Sequence, residues 1–134
     1  MEYLKIILAI IAVESGGNDL AVGDNGKAYG CLQMHSAYVQ DASEYAGRPW
    51  EHDDAFDRQA SIEIFKAYMG RYATSNRVGK DITAEHIARI HNGGPNGHLN
   101  PNTEKYWIKV KAVLKSNGCG NDSASITKTK NNKR

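Results

Sequence analysis

The sequence holds little cysteine. Cys31 and Cys119 are its two, and a pair so widely separated is no disulfide framework. They read as two separate thiols, with pairing an option if the chain is exported. There is also little net charge, +2 overall, with an isoelectric point near 8.5. That excludes the strongly basic face used to bind nucleic acid. No apolar run reaches the roughly 20 residues that a membrane span requires. No internal repeat is visible, and no run alternates as a strand. The five histidines (His35, His52, His86, His91, His98) show no ligand spacing with cysteine or acid. No metal and no cofactor is therefore implied.

What remains is the profile of one folded unit. The 134 residues are 40% hydrophobic and 24% charged, enough to bury a core without staples. Residues 1–118 are expected to form one domain, and the chain is expected to be a monomer. Residues 119–134 are polar with a basic end and are expected to be a disordered tail.

The opening segment carries the main ambiguity. Lys5 and the run Ile6 to Val13 resemble the front of a secretory signal. The small-x-small cleavage site is poor, because Val13-Glu14-Ser15 does not supply it. Read as a helix, Tyr3, Ile6, Ile7, Ile10, Ile11 and Glu14 share one face. Leu8, Ala9 and Ala12 fill much of the rest, which predicts a helix buried nearly all round. Gly16-Gly17 would stop it. Glu14 then sits in the last turn behind aliphatic side chains. Desolvation there favours the neutral carboxyl, which suits a general acid. A plain helix-end glutamate is the bland alternative.

Downstream, Asp24-Asn25-Gly26 signals a turn, with a small β-ribbon near residues 20–30. Cys31 to Met34 are read as the start of a short helix running through Val39 and broken at Gly47-Arg48-Pro49. Asp53 or Asp54 is expected to cap a helix through Tyr72. Thr74 to Lys80 read as a polar break. Asp81 or Thr83 caps a helix that ends at His91, and 91–97 are expected to be a tight loop. A last helix begins near Pro101 to Thr103, places Tyr106, Trp107, Val110 and Leu114 toward the core, and ends at Gly118. The fold class is mainly α.

Four pieces then stand in order: Glu14-Ser15-Gly16-Gly17, Gly30-Cys31-Leu32-Gln33-Met34, His91-Asn92-Gly93-Gly94, and Tyr106 followed by Val110. Together they resemble the soluble lytic transglycosylase domain, family 23 of the glycoside hydrolases, which shares its fold with goose-type lysozyme. The resemblance spans roughly residues 5–115. It implies a compact lysozyme-like helical domain and favours a retained first helix, since cleavage after residue 15 would remove the acid. The mature chain is then expected to start near Met1, with no clear signal peptide. The periplasm, the cell envelope or a phage virion is the expected setting, alone or within a larger secretion or phage assembly.

By the resemblance, the chain is a bacterial or phage enzyme that cuts peptidoglycan between N-acetylmuramic acid and N-acetylglucosamine. Glu14 would act as acid and then base, closing a 1,6-anhydro ring. Tyr106 would hydrogen-bond Glu14. Gln33 and Asn92 would contact substrate, Gly30 would allow close approach, and Leu32 would line the sugar groove. His91 stands where the family has tyrosine, and Cys31 replaces a usual leucine as a small core residue. Two other readings stay open. Asp24 could be a second carboxylate that activates water, making a hydrolytic muramidase; its bland alternative is a turn former. The chain could also be an inactive wall-binding or structural domain that kept the fold.

Overall fold

The computed structural model describes residues 3–117. The expected tail and Cys119 lie outside that range. The chain gathers into two compact units, one made of residues 3–13 and 72–117 and the other of Glu14–Arg71.

The first unit is helical. Helix α1 spans Leu4–Ser15 and delivers Ile6, Ile7, Ala9, Ile10 and Ile11 to the core. It is not buried all round: Leu4 and Leu8 are exposed, as is Ala12. A uniformly apolar run does not show which of its faces turns to water.

The chain then passes through strands β1 (Val22–Gly23) and β2 (Ala28–Tyr29) and helices α2 (Ser36–Ala46) and α3 (Arg58–Tyr72), and next forms α4, Ser75–Val78, inside the stretch read as a polar break. Thr74 makes it possible by accepting the Arg77 N–H at its start. Helix α5 spans Ala84–Gly93 and α6 spans Glu104–Ser116. Thr83 caps α5 as expected, its hydroxyl accepting the His86 N–H. Helix α5 packs on α6, burying Ile87, Ile90, Trp107, Val110 and Leu114. It also runs two residues further than expected, so Asn92 and Gly93 are helical and the loop starts later. That loop turns through single-turn helices at Gly97–Leu99 and Pro101–Thr103. Gly97 is required there, because a Cβ would sit 1.9 Å from the Arg89 carbonyl oxygen.

His86 and His98 lie edge to face in this unit, ring centroids 6.1 Å apart. Burial pushes both pKa values below the usual 6.5. Neighbouring positive charge adds to this, from His98 on His86 and from Arg77 and Arg89 on His98. The folded state thus resists protonation more than the unfolded chain does. The linked stability is fully present above about pH 6.5 and is lost as pH falls below it. The melting temperature is expected to drop between pH 7.5 and 5, and His98→Gln to flatten that drop. An identical pH profile for the variant would clear His98 of the effect.

The second unit holds strands β1 (Val22–Gly23) and β2 (Ala28–Tyr29), antiparallel, with Val22 opposite Tyr29 and Gly23 opposite Ala28. This is the small ribbon expected near 20–30. Helix α2 spans Ser36–Ala46 and ends at Gly47, which takes the left-handed conformation. It starts later than expected, because Gln33 has φ +51 and Met34 pairs with Tyr29 as an isolated bridge. The helix expected from Asp53 is split in two. A single-turn helix covers His52–Phe56, Asp57 is extended, and α3 spans Arg58–Tyr72. Asp57 is the reason: its carboxylate accepts the Ala60 N–H and starts α3 afresh. Among the described residues no helix is long and apolar enough to cross a membrane.

Candidate active site

Helix α1 ends where the glycines predict. Gly16 and Gly17 take φ +64 and +92, conformations an L side chain resists. Ser15 ties this turn down. Its hydroxyl donates to the Cys31 carbonyl at 2.8 Å and accepts from the N–H groups of Gly17 and Asn18. Arg58 adds a second clamp, donating to Asp19 at 2.8 Å and to the Gly17 carbonyl at 2.7 Å. Glu14, half-buried on the last turn, is thus held by a braced backbone.

Two tyrosines mark the surroundings of that carboxylate. Tyr38 on α2 and Tyr68 on α3 stack with ring centroids 3.7 Å apart and planes within 8°. Burial pushes the Tyr38 hydroxyl well above the ordinary phenol range, and Tyr68 and the charge of Glu14 push it further. A proton on Tyr38 is therefore firmly held. No sequence signal announces this pair, because stacking across two helices leaves no periodic pattern.

Asp24 lies in the turn between the strands. It has φ +52, Asn25 +57 and Gly26 +86, a left-handed run that closes a four-residue connection. The Gly26 N–H and Lys27 N–H both reach the Gly23 carbonyl at 3.1 Å. The turn reading of Asp24 thus holds for its backbone. Its exposed carboxylate points elsewhere and meets His35 Nε2 at 2.8 Å.

Gln33 braces the ribbon. Its amide nitrogen donates among the carbonyls of Ala21, Ala28 and Gly30, at 3.0–3.4 Å. That nitrogen is taken up by backbone. Gly30 does allow close approach, and what approaches is protein: a Cβ would lie 1.8 Å from the Ala55 carbonyl oxygen. Leu32 is fully buried, so it fills the core instead of lining an open groove. Cys31 is a free, fully buried cysteine, as expected of a small core residue, and burial pushes its thiol pKa up.

Glu14, Asp24, Gly30, Leu32 and Gln33 thus belong to the second unit, whereas His91, Asn92 and Tyr106 belong to the first. There His91 is buried on the last turn of α5, Asn92 is exposed beside it, and Tyr106 is half-buried on the first turn of α6. An open groove of about 670 Å³ in the second unit, lined by Gln40, Glu44, Arg48, Trp50 and Glu51 among others, includes none of the candidate residues.

The family model that matches this chain is Destabilase, over residues 5–113. The chain is 40% identical over 110 residues to Lysozyme 1 of Crassostrea virginica, an alignment covering 81% of this chain and 58% of that protein. It is 33% identical over 114 residues to the invertebrate-type lysozyme of Ruditapes philippinarum, covering 81% and 79%. The crystal structure of Tapes japonica lysozyme shares its fold with a TM-score of 0.66 at 31% identity, over 80% of this chain and 86% of that one. The mainly α, lysozyme-like architecture is therefore as expected.

The assignment to family 23 is not, since the matching family is a different one. A glutamate ending an apolar helix, a glycine shortly before a glutamine, and an Asn-Gly pair at a helix end are short features. They suit a lysozyme-like scaffold without separating one family on it from another. The pairing of Tyr106 with Glu14 rests on that resemblance alone. A bacterial or phage origin likewise finds no support among these bivalve relatives.

Proposed function

The chain belongs to the Destabilase family, and from that membership we propose that it is a hydrolytic muramidase of the invertebrate lysozyme type, with Glu14 and Asp24 as its two carboxylates. The likeness to bivalve lysozymes along most of the chain is the observation that carries this reading. It displaces the lytic transglycosylase expectation in favour of water as the acceptor. The substrate is the glycan strand of peptidoglycan, cut between N-acetylmuramic acid and N-acetylglucosamine.

In this mechanism Glu14 gives its proton to the glycosidic oxygen as the C1–O bond breaks. Positive charge grows at C1 and the ring oxygen, and Asp24 supplies the negative charge that balances it. Water adds at C1 and gives its proton to the Asp24 carboxylate, from which it returns through solvent to Glu14, so one product carries a reducing muramic acid end. A general acid needs a carboxyl held in one place, and Ser15 and Arg58 fix the backbone that carries Glu14. The second carboxylate must stay open to solvent and substrate, and Asp24 is exposed on the ribbon turn. The dual use of one glutamate as acid and then base is not needed once Asp24 takes its share.

The test is a digest of purified peptidoglycan with products read by mass spectrometry. Reducing muramic ends are expected. Products lighter by one water, with anhydro ends, would overturn hydrolysis, and intact glycan alongside measurable glycan binding would favour a wall-binding role.

A further inference from the structure

We propose that His35 is a positioning residue for Asp24, holding that carboxylate in its working orientation; this rests on the reading of Asp24 as the second carboxylate. The turn that carries Asp24 fixes its backbone but leaves the side chain unguided. The turn's hydrogen bonds run from the N–H groups of Gly26 and Lys27 to the carbonyls of Gly23 and Asp24, and none of them uses the carboxylate. A short acidic side chain on an exposed turn would otherwise sample several rotamers.

His35 is built to limit that freedom, because both its flanks are pinned. Met34 before it exchanges hydrogen bonds with Tyr29, at 2.9 and 3.0 Å. His52 Nε2 also lies 2.8 Å from the Met34 carbonyl. After it, α2 begins at Ser36, and the His35 carbonyl accepts the N–H groups of Tyr38 and Val39. From this anchored backbone Nε2 reaches Asp24 Oδ2 at 2.8 Å. The contact joins the start of a helix to the tip of the ribbon, so it fixes Asp24 relative to the unit that also holds Glu14.

The pair is exposed on both sides, 48% for His35 and 57% for Asp24. Ion pairs this open contribute little to folding. What it does determine is where one carboxylate oxygen points, leaving Oδ1 for the reaction. Nε2 carries a proton in the imidazolium and in one neutral tautomer, so the hydrogen bond persists in either charge state. Small displacements of a reacting group cost rate steeply, which is why such a tether matters for kcat.

The experiment is steady-state kinetics on soluble, uncrosslinked glycan strands, with melting curves for each variant. His35→Ala is expected to lower kcat about tenfold or more, with KM and the melting temperature almost unchanged. His35→Gln, which restores a donor, is expected to recover part of kcat. Adding His35→Ala to Asp24→Asn is expected to change the residual rate no further, since the tether then has no carboxylate to aim. A wild-type kcat in His35→Ala, or an equal loss in both backgrounds, would overturn the role of His35. Wild-type activity of Asp24→Asn itself would instead overturn the second-carboxylate reading on which this rests.

Discussion

Glu14→Gln is expected to lower peptidoglycan hydrolysis by about 10²–10⁴-fold while the protein melts close to the wild-type temperature. Glutamine keeps the size and shape of glutamate but has no proton that it can release to a leaving oxygen. The bonds that hold the segment lie elsewhere. Ile6, Ile7, Ile10 and Ile11 keep α1 in the core, and Ser15 and Arg58 keep the turn behind it. Loss of turnover with the fold intact therefore isolates the proton transfer. The measurement pairs reducing ends released per unit time with circular dichroism and a melting curve. Turnover within tenfold of wild type would place the acid on another residue, and the search would move to the other carboxyls of the second unit.

The glutamate is legible in the sequence because its context is one-dimensional. An apolar helix that stops at two glycines leaves a carboxylate at a defined height on a defined face, and local spacing alone conveys this. Thr83 at the start of α5 and Asp24-Asn25-Gly26 in the ribbon are legible for the same reason, since caps and turns are made by neighbours in sequence. The exposed face of α1 is not, because Leu4 and Leu8 are as apolar as the residues they flank. The split between the His52–Phe56 turn and α3 depends on the extended backbone of Asp57, one residue among several acids equally able to cap. Tyr38 on Tyr68, His35 on Asp24 and Gln33 across the ribbon are long-range or backbone-directed contacts, and composition carries no trace of them. The motifs mislead about the family for a related reason. They report what a lysozyme-like scaffold demands, and the scaffold is shared more widely than the reaction.

Gly30→Ala is expected to be the most damaging single-methyl change in the second unit, lowering stability by more than about 3 kcal/mol. Two costs add at this position. Gly30 has φ +84, which an alanine adopts only with strain. Its new Cβ would also lie 1.8 Å from the Ala55 carbonyl oxygen and 2.7 Å from the carbonyl carbon, and both are backbone atoms that no rotamer change can move. Relief would require the single-turn helix at His52–Phe56 to shift away from β2. That shift would disturb the stack in which Tyr29 lies 3.6 Å from His52 and 4.6 Å from Phe56. It would also loosen the Gly30 carbonyl that Gln33 holds and the Gly30 N–H that bonds Ala21 at 2.8 Å. Those bonds shape the ribbon whose tip carries Asp24. The variant is therefore expected to lose activity along with stability, unlike Glu14→Gln, which separates the two. Urea unfolding of both variants measures the contrast. A Gly30→Ala protein as stable as wild type would mean that the ribbon and the His52–Phe56 turn move apart at little cost, and the rigidity assigned to this part of the site would be wrong.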